Sequence, residues 1–145
     1  MKTSIVVRAS AAMIIWLSSK LSSFQKEHPQ TVIKLETSLW QKESEKHPVD
    51  VEILLAAENQ SDPRMVKLSD ELIVPVCGLQ TSRQIQRPAD LMQLDVIHVL
   101  GFDDHWARYL SVNGLPTDKV SPRVVVDTSV AACELAAAEN GCAIM

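Results

Sequence analysis

Short apolar runs alternate with helix-periodic stretches from the start of the chain. Ile5 to Val7 form a β-branched run typical of a buried strand. Ser10 follows as a candidate helix N-cap. Apolar residues then recur at spacings of three and four from Met13 to Phe24, which predicts a helix with one apolar face. This helix ends before Pro29, and residues 32–35 form a second strand, so we expect a β-α-β unit with parallel strands.

The same rhythm continues to the C-terminal end. Residues 51–55 and 72–76 are predicted strands, and Pro75 places the second of these at a sheet edge or at a crossing between lobes, because proline donates no ladder hydrogen bond. The later predicted elements are a helix at 88–94, a strand at 96–100, a helix at 103–110 capped by Asp103-Asp104, a strand at 124–126, a helix capped by Thr128 or Ser129, and a strand starting at Cys142. The alternation predicts α/β layers, and the break near residues 68–72 predicts two lobes.

Composition and charge narrow the class of protein. The chain has 145 residues, of which 46% are hydrophobic and 22% charged, as in an ordinary globular protein. Its net charge is −4 and it has no basic run, so we do not expect the chain alone to bind DNA. Residues 4–17 are apolar enough for a signal peptide, but Arg8 interrupts them and they run into an amphipathic pattern. No run reaches the roughly 18 apolar residues of a membrane span, so no membrane partner is expected.

Candidate chemistry is sparse. Three cysteines without C-x-x-C spacing indicate reduced thiols and a cytoplasmic location. The four histidines lack metal-ligand spacing, and no P-loop, G-x-G-x-x-G or G-x-S-x-G motif occurs, so we expect no metal, no cofactor and no enzyme activity. Cys77 is expected to pack as a small apolar group, and Trp16 and Trp106 to serve core or interface packing.

A series of short motifs follows in a fixed order through nearly the whole chain. They are V-R-A-S at 7–10, W-L at 16–17, L-x-x-F at 21–24, H-P at 28–29, V-D-V-E-I at 49–53, L-x-x-E with V-P-V-C at 68–77, P-A-D-L at 88–91, W-x-x-x-L-x-x-x-G at 106–114 and N-G-C-A-I at 140–144. Together they resemble the effector-binding (substrate-binding) domain of LysR-type transcriptional regulators, closest to the subgroup of glycine-cleavage regulators. That subgroup usually has A-I-R-Y-G after its third strand, whereas residues 54–58 here read L-L-A-A-E and lack the arginine.

The resemblance implies two Rossmann-like lobes of the type II periplasmic-binding-protein kind. The resemblance leads us to expect a truncated chain without the family's return to the first lobe, with residues 1–70 as a partial first lobe and residues 71–145 as the second. We likewise expect the winged helix-turn-helix to lie outside this sequence, so that DNA would be bound only through that missing N-terminal domain. The implied function is sensing a small polar effector between the lobes, in a homodimer that pairs the first helix with a helix near Trp106 to Leu110. The alternative is a free-standing bilobal solute-binding protein.

Two strand-to-helix turns are candidate effector contacts, at residues 8–11 and 126–129. Ligands of open α/β sheets bind beyond the carboxyl ends of strands, where helix N-termini favour an anion. We therefore expect an anionic or zwitterionic effector near strand ends, at Ser10, Thr37, Ser38, Ala56, Ala57, Gly101, Phe102, Thr128 and Ser129. The other interpretation is that Ser10 and Ser129 are only helix caps. Asp127 would repel an anion unless it binds an ammonium group of the same ligand.

Overall fold

The computed structural model describes residues 3–38, 48–56 and 62–145. The chain divides into two compact units, Met1–Lys67 and Leu68–Met145, each with a sheet of its own. The predicted lobe boundary fell at residues 70–71.

The first unit is built on a three-stranded parallel sheet. Its elements are β1 (Thr3–Ala9), α1 (Ala11–Glu27), β2 (Thr31–Thr37) and β3 (Val51–Ile53). The strand order is β2-β1-β3, and β1 is parallel to both neighbours. The predicted β-α-β unit is thus confirmed, and the apolar residues 4–17 form its first strand and the start of its helix. The helix ends at His28, whose backbone N–H donates to the carbonyl of Phe24.

The second unit has a four-stranded mixed sheet. Its elements are β4 (Pro75–Cys77), α2 (Leu79–Ser82), a 3₁₀ helix (Pro88–Gln93), β5 (Val96–Val99), α3 (His105–Val112), β6 (Pro122–Val126), α4 (Ser129–Ala137) and β7 (Cys142–Ile144). The order is β4-β7-β5-β6, with β5 parallel to β6 and β7, and β4 antiparallel to β7. The helix predicted from Pro88 is a 3₁₀ helix, and α2 was not predicted.

The position of Pro75 follows from its missing N–H group. Val74 and Met145 exchange two backbone hydrogen bonds, of 2.6 and 3.0 Å. The next pair, Pro75 and Ile144, therefore lies at a non-hydrogen-bonded position of the antiparallel ladder, where proline loses nothing. The prediction of an edge strand is confirmed. The strand lies later in the chain than the predicted residues 72–76, however, since β4 spans Pro75–Cys77 and Leu72 is exposed.

Both faces of the second sheet are covered by apolar side chains. Successive strand residues point to opposite faces, so Val96 and Ile97 belong to different clusters. The first cluster contains Leu91, Val96, Trp106, Leu110, Cys142 and Ile144. The second contains Ile97, Val99, Ala132, Ala136 and Ala143. Apolar clusters therefore pack against the central strands on both faces of this sheet.

Helix α3 packs one face into the core of its own unit. Trp106 and Leu110 are 6% and 0% exposed, which confirms core packing for Trp106 and makes both side chains unavailable for the predicted contact with a partner's helix. The apolar stripe was visible in the sequence, but what covers it was not. Asp104 occupies the N-cap position without a side-chain cap bond, and Asp103 instead contacts Nε2 of His98 at 3.0 Å. The prediction is therefore confirmed for Asp104 as the N-cap residue and wrong for Asp103.

Helix α1 is covered far less. None of its residues is buried, and Ile15 and Trp16 are 59% and 51% exposed. The buried residues of the first sheet lie in β1, at Val7, Arg8 and Ala9. Within the described ranges, no helix combines the length and apolar character needed to cross a membrane.

Candidate functional site

The carboxyl edge of the first sheet brings several predicted residues together. Ala9, the last residue of β1, pairs with Thr37 of β2 and Ile53 of β3. The backbone N–H of Ser38 donates to the carbonyl of Ala9 at 2.9 Å, next to Ser10. Thr37 and Ser38 therefore lie beside the start of α1. Ala56 follows β3 by three residues and is half-buried, whereas Ala57 lies outside the described residues.

Ser10 is the N-cap of α1. Its Oγ accepts a hydrogen bond from the N–H of Met13 at 3.3 Å, and its carbonyl accepts from Ile14 at 3.0 Å. The first N–H groups of a helix have no partner inside the helix, so those of Ala11 and Ala12 stay directed at whatever lies beyond its start. No acidic residue occupies the first turn. Ser10 thus is a cap, and its exposed hydroxyl can still donate to a ligand.

The second sheet has a similar edge where β5 and β6 end. Val99 pairs with Val126, and the N–H of Leu100 donates to the carbonyl of Val126 at 2.8 Å. Gly101 follows with φ of 87°, a left-handed conformation that glycine adopts without strain. Gly101 and Thr128 therefore come from adjacent strand ends.

The two hydroxyl residues before α4 have different positions. Thr128 is the N-cap, and its Oγ1 accepts from the N–H of Ala131 at 3.1 Å. Ser129 is the first helical residue, so the interpretation of Ser129 as a cap is wrong. The first turn holds no acidic residue, which leaves the N–H groups of Ser129 and Val130 at the helix start. Asp127 is exposed just before the cap.

The packing of Phe102 within the second unit holds its ring in a fixed position. It packs against the second core cluster, and its ring stacks on His105 with centroids 4.6 Å apart and planes 16° apart. His105 is itself buried, with Nδ1 lying 3.3 Å from the carbonyl oxygen of Ile144. Phe102 therefore offers only its exposed part to a ligand, from a fixed position.

The sheets that carry these strand ends lie in a domain of a known family. The family model described as the LysR substrate binding domain matches residues 4–145. The chain belongs to the LysR substrate-binding domain family. The fold is accordingly the type II periplasmic-binding-protein fold of LysR effector domains.

Individual LysR proteins agree with this assignment. The chain is 26% identical over 130 residues to the HTH-type transcriptional activator AmpR of Pseudomonas aeruginosa, covering 89% of the chain and 44% of AmpR. It is 30% identical over 105 residues to the glycine cleavage system transcriptional activator of Escherichia coli K12, covering 70% of the chain and 34% of that activator. The chain thus spans less than half the length of the curated relatives it matches, which are transcription regulators.

Solved structures show the same fold. The effector domain of AmpR from P. aeruginosa superposes with a TM-score of 0.80 at 23% identity, covering 99% of this chain and 69% of that one. The effector-binding domain of QuiR, solved in complex with shikimate, gives a TM-score of 0.68 at 15% identity, covering 100% and 74%. The matches give no support to the alternative of a free-standing solute-binding protein.

Arg8 is a residue that the sequence analysis missed in this LysR domain. Its side chain is 5% exposed, and Nη2 lies 3.3 Å from Oε2 of Glu36, the residue opposite it on β2. A buried guanidinium requires such a partner, because an unpaired buried charge is strongly unfavourable. The pair lies one position before the Ala9–Thr37 edge and holds two of the strands that position Ser10. The only sequence sign was a basic residue inside a β-branched run.

Two surface cavities of the second unit lie elsewhere. One, of about 330 Å³, is lined by residues that include Cys77, Arg87 and Tyr109, and the other, of about 220 Å³, by residues that include His98 and Trp106. Neither contains a predicted effector-contact residue. Across the part of the chain that the structure describes, no group of three or more His, Cys, Asp or Glu side chains could hold a metal ion.

Proposed function

We propose that this chain is the ligand-sensing region of a LysR-type transcription regulator, and that strand ends in each unit recognise a small polar effector. Family membership over residues 4–145 is the observation that carries this proposal. The proposed contacts in the first unit are Ser10, Thr37, Ser38, Ala56 and Ala57. Those in the second unit are Gly101, Phe102, Thr128 and Ser129.

The chemistry of the two helix starts supports an anionic or zwitterionic effector. Both α1 and α4 begin with a hydroxyl cap and a first turn without acidic residues. Their free N–H groups and positive dipole ends favour a carboxylate. Asp127, next to the second helix start, suits an ammonium group of the same ligand. QuiR, a structural neighbour, binds shikimate, which supports including shikimate among the first ligands tested.

The experiment is calorimetry with shikimate and a panel of amino acids and carboxylates, on the unaltered chain and on two substitutions of Ser10. Ser10→Asp and Ser10→Asn both keep a good N-cap, so both should leave α1 intact. Asp adds a negative charge at the helix start. A hydrogen bond to a charged ligand contributes about 1.5–3 kcal/mol, so we expect Ser10→Asp to weaken anion binding by at least about tenfold and Ser10→Asn by less.

The matched control is Ser18→Ala on the same helix. Its hydroxyl is exposed and donates to the carbonyl of Ile15 at 2.6 Å, away from the helix start. It should bind as the unaltered chain does. Equal affinity in the Ser10→Asp and Ser18→Ala variants would refute the role of Ser10, and failure of the whole panel to bind would contradict the proposed ligand class.

We further propose that the chain forms a homodimer through α1. The support is the exposed apolar pair Ile15 and Trp16 on a helix with no buried residue. A two-fold contact must be self-complementary, so the same α1 patch takes part in the contact from both copies, whichever surface of the partner it touches. Sedimentation should show a dimer that Trp16→Ala weakens. A monomer at high concentration would contradict this.

DNA contact, we propose, resides outside these 145 residues. The net charge of −4 opposes binding to a phosphate backbone, and the matched relatives are longer, HTH-type regulators. A cytoplasmic location and the absence of enzyme activity accord with this role. Tight, salt-sensitive binding of duplex DNA by the purified chain would contradict it.

A further inference from the structure

Two of the three cysteines face each other across the edge of the second sheet. Cys77 of β4 and Cys142 of β7 are direct partners in the antiparallel ladder. Val74 and Met145 form a hydrogen-bonded pair, and hydrogen-bonded and non-hydrogen-bonded pairs alternate along such a ladder. Cys77 and Cys142 therefore occupy a non-hydrogen-bonded pair, in which the Cα atoms are about 4.5 Å apart and the side chains lie close on the same face.

The burial of the two thiols agrees with that register. Cys142 is fully buried in the first core cluster, and Cys77 packs against that cluster. Burial raises the pKa of Cys142 to about 12, and the neighbouring Cys77 adds to the rise. A disulfide requires Cα atoms about 4.4–6.8 Å apart, a range that a pair of this kind meets without movement of the backbone.

Solvent reaches this pair from one side only. Cys77 is half-buried and lines the open cavity of about 330 Å³, together with residues that include Leu91 and Tyr109. Cys142 has no exposed surface. A small oxidant can therefore meet the sulfur of Cys77 first, with Cys142 directly behind it. Cys133 is exposed on α4, where it is no partner of either thiol in the ladder.

We propose that Cys77 and Cys142 form a reversible cross-strand disulfide when a small hydroperoxide oxidises Cys77. The Cys77 thiolate attacks one peroxide oxygen, the O–O bond breaks, and Cys77 becomes a sulfenic acid as the other oxygen leaves as hydroxide or alkoxide. The sulfur of Cys142 then attacks that of Cys77, the S–O bond breaks, and the oxygen leaves as water with the thiol proton. Two thiols are oxidised and one hydroperoxide is reduced to water and water or an alcohol.

The bond would anchor a weakly held strand. Strand β4 has only three residues, includes a proline and pairs with β7 alone. Closing the long loop between β4 and β7 restricts the unfolded chain, so the oxidised protein should melt several degrees higher. Both thiols have raised pKa values, Cys77 through burial and then the charge of Glu139. Since the thiolate is the nucleophile, oxidation should speed up about tenfold per pH unit from pH 7 to 8.

The test uses the full chain with Cys133→Ala, so that only the two facing thiols remain. Hydrogen peroxide is added, and intact mass, thiol content and melting temperature are measured before and after addition of dithiothreitol. We expect a loss of 2 Da, loss of both thiols after denaturation, a higher melting temperature, and full reversal by the reductant. Peptide mapping should join the segments that contain Cys77 and Cys142.

Two further variants separate the proposal from nonspecific oxidation. Cys77→Ala and Cys142→Ala, each combined with Cys133→Ala, keep small apolar groups in the core and should gain oxygen or stay unchanged without losing 2 Da. If either fails to fold, the equilibrium of the Cys133→Ala chain with a glutathione redox buffer decides: the disulfide should be at least tenfold more favoured in the native chain than in urea. Equal equilibria, or addition of 16 or 48 Da without the 2 Da loss, would overturn the proposal.

Discussion

The two units place helix N-termini at the carboxyl ends of parallel strands, yet they bury their helices to different extents. In the second unit, α3 and α4 contribute fully buried residues to clusters on both faces of the sheet, among them Leu110 and Ala132. In the first unit, α1 has no buried residue, and the buried part of β1 includes the charged Arg8. Segments with few buried apolar contacts open at the lowest free energy. The strand ends beside Ser10 therefore belong to a less firmly packed unit than the strand ends beside Thr128.

The difference bears on how a sensor can work. A ligand shifts a conformational equilibrium only by binding one state better than another. Phe102, Thr128 and Ser129 belong to the more firmly packed unit, so we expect a ligand to order the chain around Ser10 more than around these residues. Comparable substitutions in the two units should therefore have unequal consequences.

The largest loss is expected from Gly141→Ala in the second unit. Gly141 has φ of 128°, and an added Cβ would collide with the carbonyl oxygen of Asp95, which accepts the N–H of Cys142. Backbone strain and overpacking together should lower the free energy of unfolding by about 4 kcal/mol. Gly114→Ala is the control, with φ of 67° and nothing within 4 Å of the added atom, and should lose only about 1 kcal/mol. Urea unfolding measures both, and similar losses would show that the close approach at Gly141 is unimportant.

The same substitution in the two units should next give unequal results. Leu110→Ala empties a fully buried site and should destabilise the protein by about 3 kcal/mol. Leu21→Ala removes a half-buried side chain from α1 and should destabilise it by about 1 kcal/mol. Thermal unfolding followed by circular dichroism compares them. Losses of the same size would contradict the contrast in packing.

A partly buried ion pair, Arg8 with Glu36, joins β1 to β2 in the first unit. Glu36→Gln replaces the carboxylate that contacts the guanidinium of Arg8 with a neutral amide and should destabilise the protein by about 2 kcal/mol, less than for a fully buried pair because Glu36 is 35% exposed. Glu52→Gln is the control. Glu52 lies opposite Arg8 on β3, and Glu52 is exposed. A stability loss for Glu52→Gln as large as that for Glu36→Gln would show that the pair is not specific.

A smaller effect concerns acid stability in the second unit. The carboxylate of Glu139 accepts hydrogen bonds from the hydroxyl and N–H of Thr81 and from the N–H of Gln80, and these hold the pKa of Glu139 below its usual 4.5. A lowered folded-state pKa gives stability that is present above pH 4.5 and lost as the pH falls through the folded value. Glu139→Gln should therefore melt lower at neutral pH and show a weaker decline below pH 4.5. Parallel melting curves against pH would refute this.

Local patterns explain which parts of the fold could be predicted. The β-α-β unit and the edge position of Pro75 follow from apolar periodicity and from a missing N–H group, both visible in neighbouring residues. The antiparallel pairing of β4 with β7 and the capping of α2 by Glu139 join residues about 60 positions apart, and no local pattern contains them. A helical stripe shows an apolar face but not its partner, so the sequence fitted Trp106 and Leu110 to a core or to a subunit contact alike.

The site was predictable at the level of turns rather than side chains. In the sequence, either of the two adjacent hydroxyl residues at 128–129 could be the N-cap, and only the backbone conformation assigns this position to Thr128. The register that brings Arg8 opposite Glu36 joins residues 28 positions apart, so the pairing was invisible. The effector-contact roles of all nine residues stay predictions: Ser10, Thr37, Ser38, Ala56, Ala57, Gly101, Phe102, Thr128 and Ser129.

The most direct test of ligand sensing at the strand ends is amide NMR during titration with shikimate and with the amino-acid and carboxylate panel. We predict that at least one of these compounds shifts the N–H signals of Ala11, Ala12, Ser129 and Val130, and that those near α1 change most on binding. Saturating binding that moves only amides around Cys77 and Tyr109, or no binding by any compound, would contradict the account.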